Sequence, residues 1–435
     1  MTRPLGPLGP LGPGGSVVAI SDSANFYASC EALFDPSLRG KPVIVLSNND
    51  GCAVARSDQA KSLGIRMGEP LHLIRDKVDA HGCRVFSSNY TLYHSLSERV
   101  RTVYEAYTPE VEVYSIDECF LNLAGFRDRE AHAREMRADV MRQVGIPVRV
   151  GIAPSKTLAK CANEVAKKNP VFQGVLDMMD ARVADWLLPM VPVGDIWGVG
   201  ARTQEKLAAL GIHTAADLRA MPLRQARAVG TVVLERTVLE LQGEACIAME
   251  DVEPQRKGMA VTRSAGTPMT DFDTVMGALA AHATRAAEKL RRHGLVAGAI
   301  TAFFHCNKHR PDRPQHTGSR TARLTPMSAD TFDLVEAVRR CARAAWPKDD
   351  RPYRFIKAGV ILDDLLPEAD RPRTLFEAMR PRSAELMGAL DAVNDRFGKK
   401  TLVLASEGFE RPWALRSDHR SPRYTTRISD LPVVR

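Results

Sequence analysis

The chain has 435 residues, 60 Lys+Arg against 52 Asp+Glu, 44% hydrophobic and 26% charged residues, and a formal net charge of +8. That composition excludes a mostly disordered chain, a fibrous repeat and a small disulfide-stapled domain, and the length predicts about three compact units. The longest apolar runs, such as Val17–Ile20 and Val43–Leu46, are far short of the ~20 residues of a membrane span, and no signal peptide is visible, so a cytoplasmic protein without membrane contact is expected.

Residues 1–16 repeat a Pro-Leu-Gly unit and read as a flexible tail. Order begins with the apolar strand Val17–Ile20, followed by a helix over Asn25–Phe34, which Asp22 or Ser23 could cap. A second strand, Pro42–Leu46, leads into the polar turn Ser47–Gly51, and Gln59–Leu63 reads as a helix stopped by Gly64. Asn89–Ala106 is a long helical pattern. Val111–Ile116 alternates with period two, and Asp117–Leu123 reads as the returning strand of a hairpin. A helix over 130–144, the strand Val148–Ile152 and the helix Thr157–Lys168 complete an α+β layer with a mostly antiparallel sheet.

Residues 183–243 change to short helices broken by glycines. Gly198 and Gly200 precede the helix Ala201–Leu210, a pattern that fits either a helix-hairpin-helix pointing backbone N–H groups at a phosphate or a plain helix turn. Residues 258–362 predict a second α+β unit in the order β-α-β-β-α-β, a split βαβ. Its strands are Gly258–Ser264, Ala299–His305, Ser319–Leu324 and Phe355–Leu362, and its helices Phe272–His293 and Ala329–Trp346. Residues 244–360 hold 19 Lys+Arg against 13 Asp+Glu, a basic balance suited either to polyphosphate or to an ordinary solvated surface; Arg263, Arg320 and Arg323 are candidate DNA contacts, with Arg320 and Arg323 on basic strands that would leave one sheet face free. Beyond Asp363 a loosely ordered tail is expected.

Eight cysteines are dispersed with no CxxC pair, which predicts buried free thiols rather than zinc or disulfides. Asp22, Asp117 and Glu118 each fall at a strand end. If the strands are neighbours, three carboxylates converge, an arrangement that needs a hard divalent cation between them; Mg²⁺ with oxygen ligands fits. The competing account is a helix cap and two exposed turn acids.

Ser115-Ile116-Asp117-Glu118, Asp22 with Phe26-Tyr27-Ala28-Ser29-Cys30-Glu31, and Gly40–Cys52 resemble Y-family, translesion DNA polymerases, within them the UmuC-type catalytic subunit of DNA polymerase V. Phe86–Tyr90 and Arg423–Arg427 resemble the same subfamily, so the likeness runs from about Val17 to the C-terminus. It implies a right-hand polymerase: an α+β palm with a ferredoxin-like antiparallel sheet (17–40 and 88–180), small fingers (41–87), a helical thumb with a helix-hairpin-helix (181–245), an α+β little finger (250–362) and a UmuC-type tail (363–435). It implies an acidic triad of Asp22, Asp117 and Glu118, with Ser23 adding its carbonyl to two Mg²⁺ ions. Tyr27 falls at the steric gate that excludes a 2′-OH. Phe26, Arg56, Lys61 and Lys167 join it around the incoming dNTP; read alone, Lys61 and Lys167 are ordinary helix-surface lysines, and Lys156, just before a helix, could equally be solvated. Primer-template DNA, a UmuD-like dimer and a RecA filament are the implied partners. A sliding-clamp peptide keeps its anchors Leu375 and Phe376 but not its glutamine, and Ala24 and Asn25 stand in swapped order. Template-directed, error-prone synthesis in SOS-type DNA repair is the activity implied. The other classes are a nucleotidyl cyclase with a palm-like sheet and a non-catalytic DNA-binding accessory protein.

Overall fold

The computed structural model describes residues 16–249, 256–372, 382–408 and 410–431, so the anchors Leu375 and Phe376 lie outside the described residues. The chain forms two compact units, one drawn from residues 1–47, 51–253 and 419–435, the other from 48–50 and 254–418.

The first unit runs β1 (Val18–Ser23), α1 (Phe26–Phe34), β2 (Val43–Leu46), β3 (Ala53–Arg56), α2 (Asp58–Ser62), α3 (Leu71–Ala80), β4 (Arg84–Ser87), α4 (Tyr90–Glu105), β5 (Val111–Val113), β6 (Glu118–Asn122), α5 (Arg129–Gln143), β7 (Val148–Ala153), α6 (Lys156–Lys168), β8 (Val175–Asp177), α7 (Ala181–Leu187), α8 (Ala201–Ala208), α9 (Ala215–Arg219) and α10 (Leu223–Leu241). Its main sheet has the order β5-β6-β1-β7-β8, with only β7 and β8 parallel. β1 is central and nearly all buried, which is why it reads as a continuous apolar run. It extends three residues beyond the expected strand and carries Asp22 in its ladder. A small sheet, β3-β2-β4, packs separately around Ile44, Leu46 and Ala53. The expected third unit is absent as a separate core: Leu207, Leu218 and Leu234 of the helical segment share one cluster with Ile20, Phe120 and Leu158.

The second unit is the expected split βαβ: β9 (Gly258–Met269), α11 (Phe272–Arg292), β10 (Leu295–Cys306), β11 (Thr317–Ser328), α12 (Thr331–Ala345) and β12 (Phe355–Pro367), in the antiparallel order β11-β10-β12-β9. The two long helices cover one face and bury Val275, Leu279, Leu334 and Val338 against Ile300 and Val360. The expected loose tail is instead partly built: α13 (Ser383–Phe397) buries Met387 and Leu390, and Trp413 joins the core of this unit. All eight cysteines are free thiols, six of them buried. Among the described residues no helix is long and apolar enough to cross a membrane.

Candidate functional site

The register of the main sheet assembles the acids. Asp22 on β1 stands opposite Glu118 on β6, and the amide of Ser23 donates to the carbonyl of Asp117 at 2.8 Å. Asp117 and Glu118 close the β5–β6 hairpin, where the Ser115 hydroxyl donates to Asp117 Oδ1 at 2.7 Å and accepts from the amides of Asp117 and Glu118. Asp22 is no helix cap: the N-cap of α1 is Asn25, whose side chain makes no capping bond.

Asp22, Ser23, Asn25, Phe26, Tyr27, Arg56, Lys61, Tyr90, Asp117, Arg149 and Lys167 line one cleft of about 450 Å³. Burial, reinforced by Glu118 and Asp117 and opposed by Lys167 and Arg149, pushes the carboxyl of Asp22 up to about 6. Glu118 is turned aside: both its oxygens accept from Lys160 Nζ, at 2.9 and 3.0 Å. Among the described residues no three acidic, histidine or cysteine side chains stand as a ready-made metal cage. The donor set nevertheless fits a hard cation, because every candidate ligand is an oxygen and Lys167 and Arg149 only partly offset the cost of burying the ionised Asp22.

The cationic side of the cleft holds Arg56, Lys61, Arg149 and Lys167. Arg56 Nη1 donates to the Ile65 carbonyl at 2.9 Å, whereas its buried Nε has no hydrogen-bond partner, and neither has the buried Nη1 of Arg149. Such orphan donors are rare in a folded protein and suit an anionic ligand. Lys61 is held by Asn25 Oδ1 and Asp58. Tyr27 stacks on Tyr93 at 4.4 Å and 15° and meets Tyr90 edge-on at 6.0 Å, which fixes the ring at the cleft wall. Phe26, at 3% exposure, is mostly core.

Two residues of this neighbourhood escape sequence reasoning. Arg149 stands opposite Asp22, and its signal is a lone arginine in the apolar strand β7. Lys160 reads as a helix-surface lysine, yet it sits 4.4 Å over the ring of Tyr114 and 5.5 Å over that of Trp197. Lys156 is also no surface residue: at 2% exposure, it donates to Glu112 at 2.6 Å and to the Ala248 carbonyl at 2.7 Å. Gly151 on β7 lets α6 approach so closely, since a Cβ there would stand 2.3 Å from the backbone of Ala159 and Asn163.

The DNA candidates divide. Gly198 has φ +88, a turn only glycine accepts easily, and Gly200 is the N-cap of α8 with open space around it. On the second unit, side-chain alternation puts Arg323 on the face opposite the helices, in rows with Thr301, Thr321, Phe303, His305 and Lys357. Arg263 and Arg320 are exposed but lie in phase with the helix-side residues Val261 and Leu324 and pair with Ala358 and Ala302 of that same face, so they do not belong to the free face. Arg320 thus differs from the expected free-face position, because a one-residue offset along a strand reverses the face.

Residues 21–164 match the impB/mucB/samB family, 256–375 the C-terminal domain of that family, 180–212 the IMS family HHH motif, and 384–434 a domain of unknown function, DUF4113. Protein UmuC of Salmonella typhimurium is 42% identical over 419 residues, covering 95% of this chain and 99% of its own. Protein MucB of Escherichia coli is 38% identical over 420 residues, covering 95% and 99%. DNA polymerase IV of Moorella thermoacetica is 29% identical over 403 residues, covering 88% and 94%. Among solved structures, a Y-family DNA polymerase chimera matches with a TM-score of 0.64 at 20% identity, over 80% of this chain and 99% of that one. The insertion ternary complex of Dbh DNA polymerase matches with a TM-score of 0.53 at 20% identity, over 80% and 99%. The chain therefore belongs to the impB/mucB/samB family, in its UmuC-type branch, and has the Y-family polymerase fold.

Proposed function

We infer that the protein is an error-prone translesion DNA polymerase, a DNA-directed nucleotidyltransferase of DNA repair. The observation that carries this is one cleft uniting Asp22 and Asp117 with Arg56, Lys61, Arg149 and Lys167 beside the ring of Tyr27. The UmuC and DNA polymerase IV relatives support the same activity.

In the reaction a primer 3′-OH attacks the α-phosphate of a dNTP and pyrophosphate leaves. Asp22, Asp117 and Glu118, with the carbonyl of Ser23, would hold two Mg²⁺ ions, which when bound supply activation of the hydroxyl and charge neutralisation on the leaving phosphates. Lys61, Lys167, Arg56 and Arg149 bind and orient the triphosphate, the two guanidinium groups with the orphan N–H donors noted above. Tyr27 lies under the sugar and leaves no room for a 2′-OH, so dNTP is preferred over rNTP. The amides near Gly198 and Gly200 and the basic second unit, including Arg323, take duplex phosphates without reading bases.

In this reading residues 17–40 and 88–180 are palm, 41–87 fingers, 181–245 thumb and 250–362 little finger. The subfamily likeness adds a UmuD-like dimer, a RecA filament and action at the nucleoid in SOS-type mutagenesis. The test is Mg²⁺-dependent primer extension on undamaged and abasic templates, wild type beside Asp117→Ala/Glu118→Ala, with and without those partners. Template-dependent synthesis that disappears in the double variant is the expected result. Activity surviving in it would remove the acid assignment, and tight primer-template binding without synthesis would point to an accessory protein.

A further inference from the structure

The C-terminal segment 419–424 lies in the match to the domain of unknown function, yet it is built into the first unit. Ser87, at 2% exposure, exchanges two hydrogen bonds with the backbone of His419, both 3.0 Å. Asn89, fully buried, is the N-cap of α4 but forgoes the capping bond that asparagine usually makes there. Its Nδ2 donates instead to the Ser421 carbonyl at 3.1 Å, to Ser421 Oγ at 2.9 Å and to the Pro422 carbonyl at 3.1 Å. Tyr424 stacks on Phe34 at 4.6 Å.

The clasp continues inward. The Ser421 hydroxyl donates to Glu31 Oε1 at 3.0 Å, and the Tyr93 hydroxyl donates to the same oxygen at 2.6 Å. Glu31 is 2% exposed, so these two donors are the main compensation for burying its carboxyl. The Tyr93 ring then lies flat against Tyr27, with centroids 4.4 Å apart. At that distance the rings are in contact, so a displacement of Tyr93 alters the packing of Tyr27.

We propose that segment 419–424 is a positioning strut for sugar discrimination: Ser421 fixes Glu31, Glu31 fixes Tyr93, and Tyr93 sets the height of the Tyr27 ring. The proposal rests on the reading of Tyr27 as the steric gate. Ser421, Glu31 and Tyr93 are positioning residues, none of which lines the nucleotide cleft. A gate acts by clash with one oxygen atom, so sub-ångström placement governs the selectivity ratio more than the rate with dNTP.

The test uses the full chain with 3-fluorotyrosine placed at position 27. The ¹⁹F resonance reports the ring's surroundings, and primer extension with dNTP and rNTP gives the selectivity ratio. Ser421→Ala and Tyr93→Phe each remove one hydroxyl without a large cavity. Each should move the resonance and lower the ratio about 3- to 10-fold, the worth of one buried hydrogen bond. Glu31→Gln keeps the accepting oxygen and should stay close to wild type in both readouts, whereas Tyr27→Ala should lose selection altogether. An unmoved ratio and resonance in Ser421→Ala, with Tyr27→Ala still unselective, overturns the strut. So does an equal loss with dNTP and rNTP alongside a lowered Tm, which marks a merely structural contact. If Tyr27→Ala keeps selection, the gate reading falls, and the resonance alone decides whether Ser421 positions Tyr27.

Discussion

Lys160 Nζ bridges both carboxylate oxygens of Glu118, at 2.9 and 3.0 Å, with only 16% of the lysine side chain and 26% of the glutamate exposed. The pair draws Glu118 away from the cleft that Asp22 and Asp117 line. It also supplies the positive charge that three neighbouring acids need when no other cation is bound.

Lys160→Met should therefore weaken the metal-free protein and enlarge its response to Mg²⁺. Breaking a half-buried pair leaves Glu118 facing Asp22 and Asp117, a loss on the order of 2 kcal/mol. Mg²⁺, if held by these acids, would restore the balance and stabilise by mass action. Thermal unfolding with EDTA and with Mg²⁺ should show a larger Mg²⁺-induced rise in Tm for the variant. An equal rise in both proteins would mean that Glu118 takes no part in holding the ion.

Asn25 carries two tasks at one position. It adopts φ 50 and ψ 38, a left-handed conformation that asparagine tolerates better than alanine, and its amide binds both Lys61 and Asp58. Asn25→Ala should lose about 1 kcal/mol of stability to backbone strain and also release Lys61. Asn25→Gly removes the strain but not the release. Both variants should raise KM for dNTP several-fold with a smaller change in kcat, while only the alanine variant melts lower. A normal KM in Asn25→Gly would show that Lys61 needs no such tether. This is where the swapped order of Ala24 and Asn25 acquires a structural meaning.

What could be read from the sequence followed the range of the contacts. Asp22, Asp117 and Glu118 were legible because strand ends and a hairpin are local patterns. The split βαβ was legible because its periods change cleanly between strand and helix. Lys156 was not: its partners Glu112 and Ala248 lie 44 and 92 residues away, and nothing in helix α6 itself distinguishes a buried lysine from a solvated one. Ser421 was illegible for the same reason, since Glu31 stands 390 residues earlier. The expected loose tail followed from its proline and charge content. The apolar pair Met387 and Leu390, one helical turn apart, was the available signal against it.

Glu31 predicts a pH dependence of stability. Burial raises its carboxyl from the ordinary 4.5 to about 6, against the hydrogen bonds from Tyr93 and Ser421, which favour the ionised form. The folded protein thus binds this proton more tightly than the unfolded chain. The associated stability is fully present below about pH 4.5 and is lost as pH rises through about 6. A displacement from 4.5 to about 6 corresponds to about 2 kcal/mol. Glu31→Gln carries no such proton, so the stability of wild type relative to the variant should fall by about that amount between pH 4 and pH 7.5. Urea unfolding at the two pH values, with Mg²⁺ constant, measures it; parallel stabilities would place the titration elsewhere.

The turn before α8 allows backbone conformation and the proposed DNA contact to be tested separately. Gly198 needs its φ of +88, so Gly198→Ala should lose about 1–2 kcal/mol. Gly200 has φ −86 and ψ 170, and a Cβ there would meet nothing within 4 Å. As the N-cap of α8 it is a position where aspartate is favourable, both by capping and by the helix dipole. Gly200→Asp should therefore keep or slightly raise Tm. If the amides of this turn hold a DNA phosphate, the same carboxylate repels it, and primer-template affinity should drop about tenfold at low salt, with a flatter dependence on salt concentration. Fluorescence anisotropy against labelled primer-template across a salt series reads both quantities. A stable variant that binds as wild type does would mean that the amides of this turn hold no DNA phosphate.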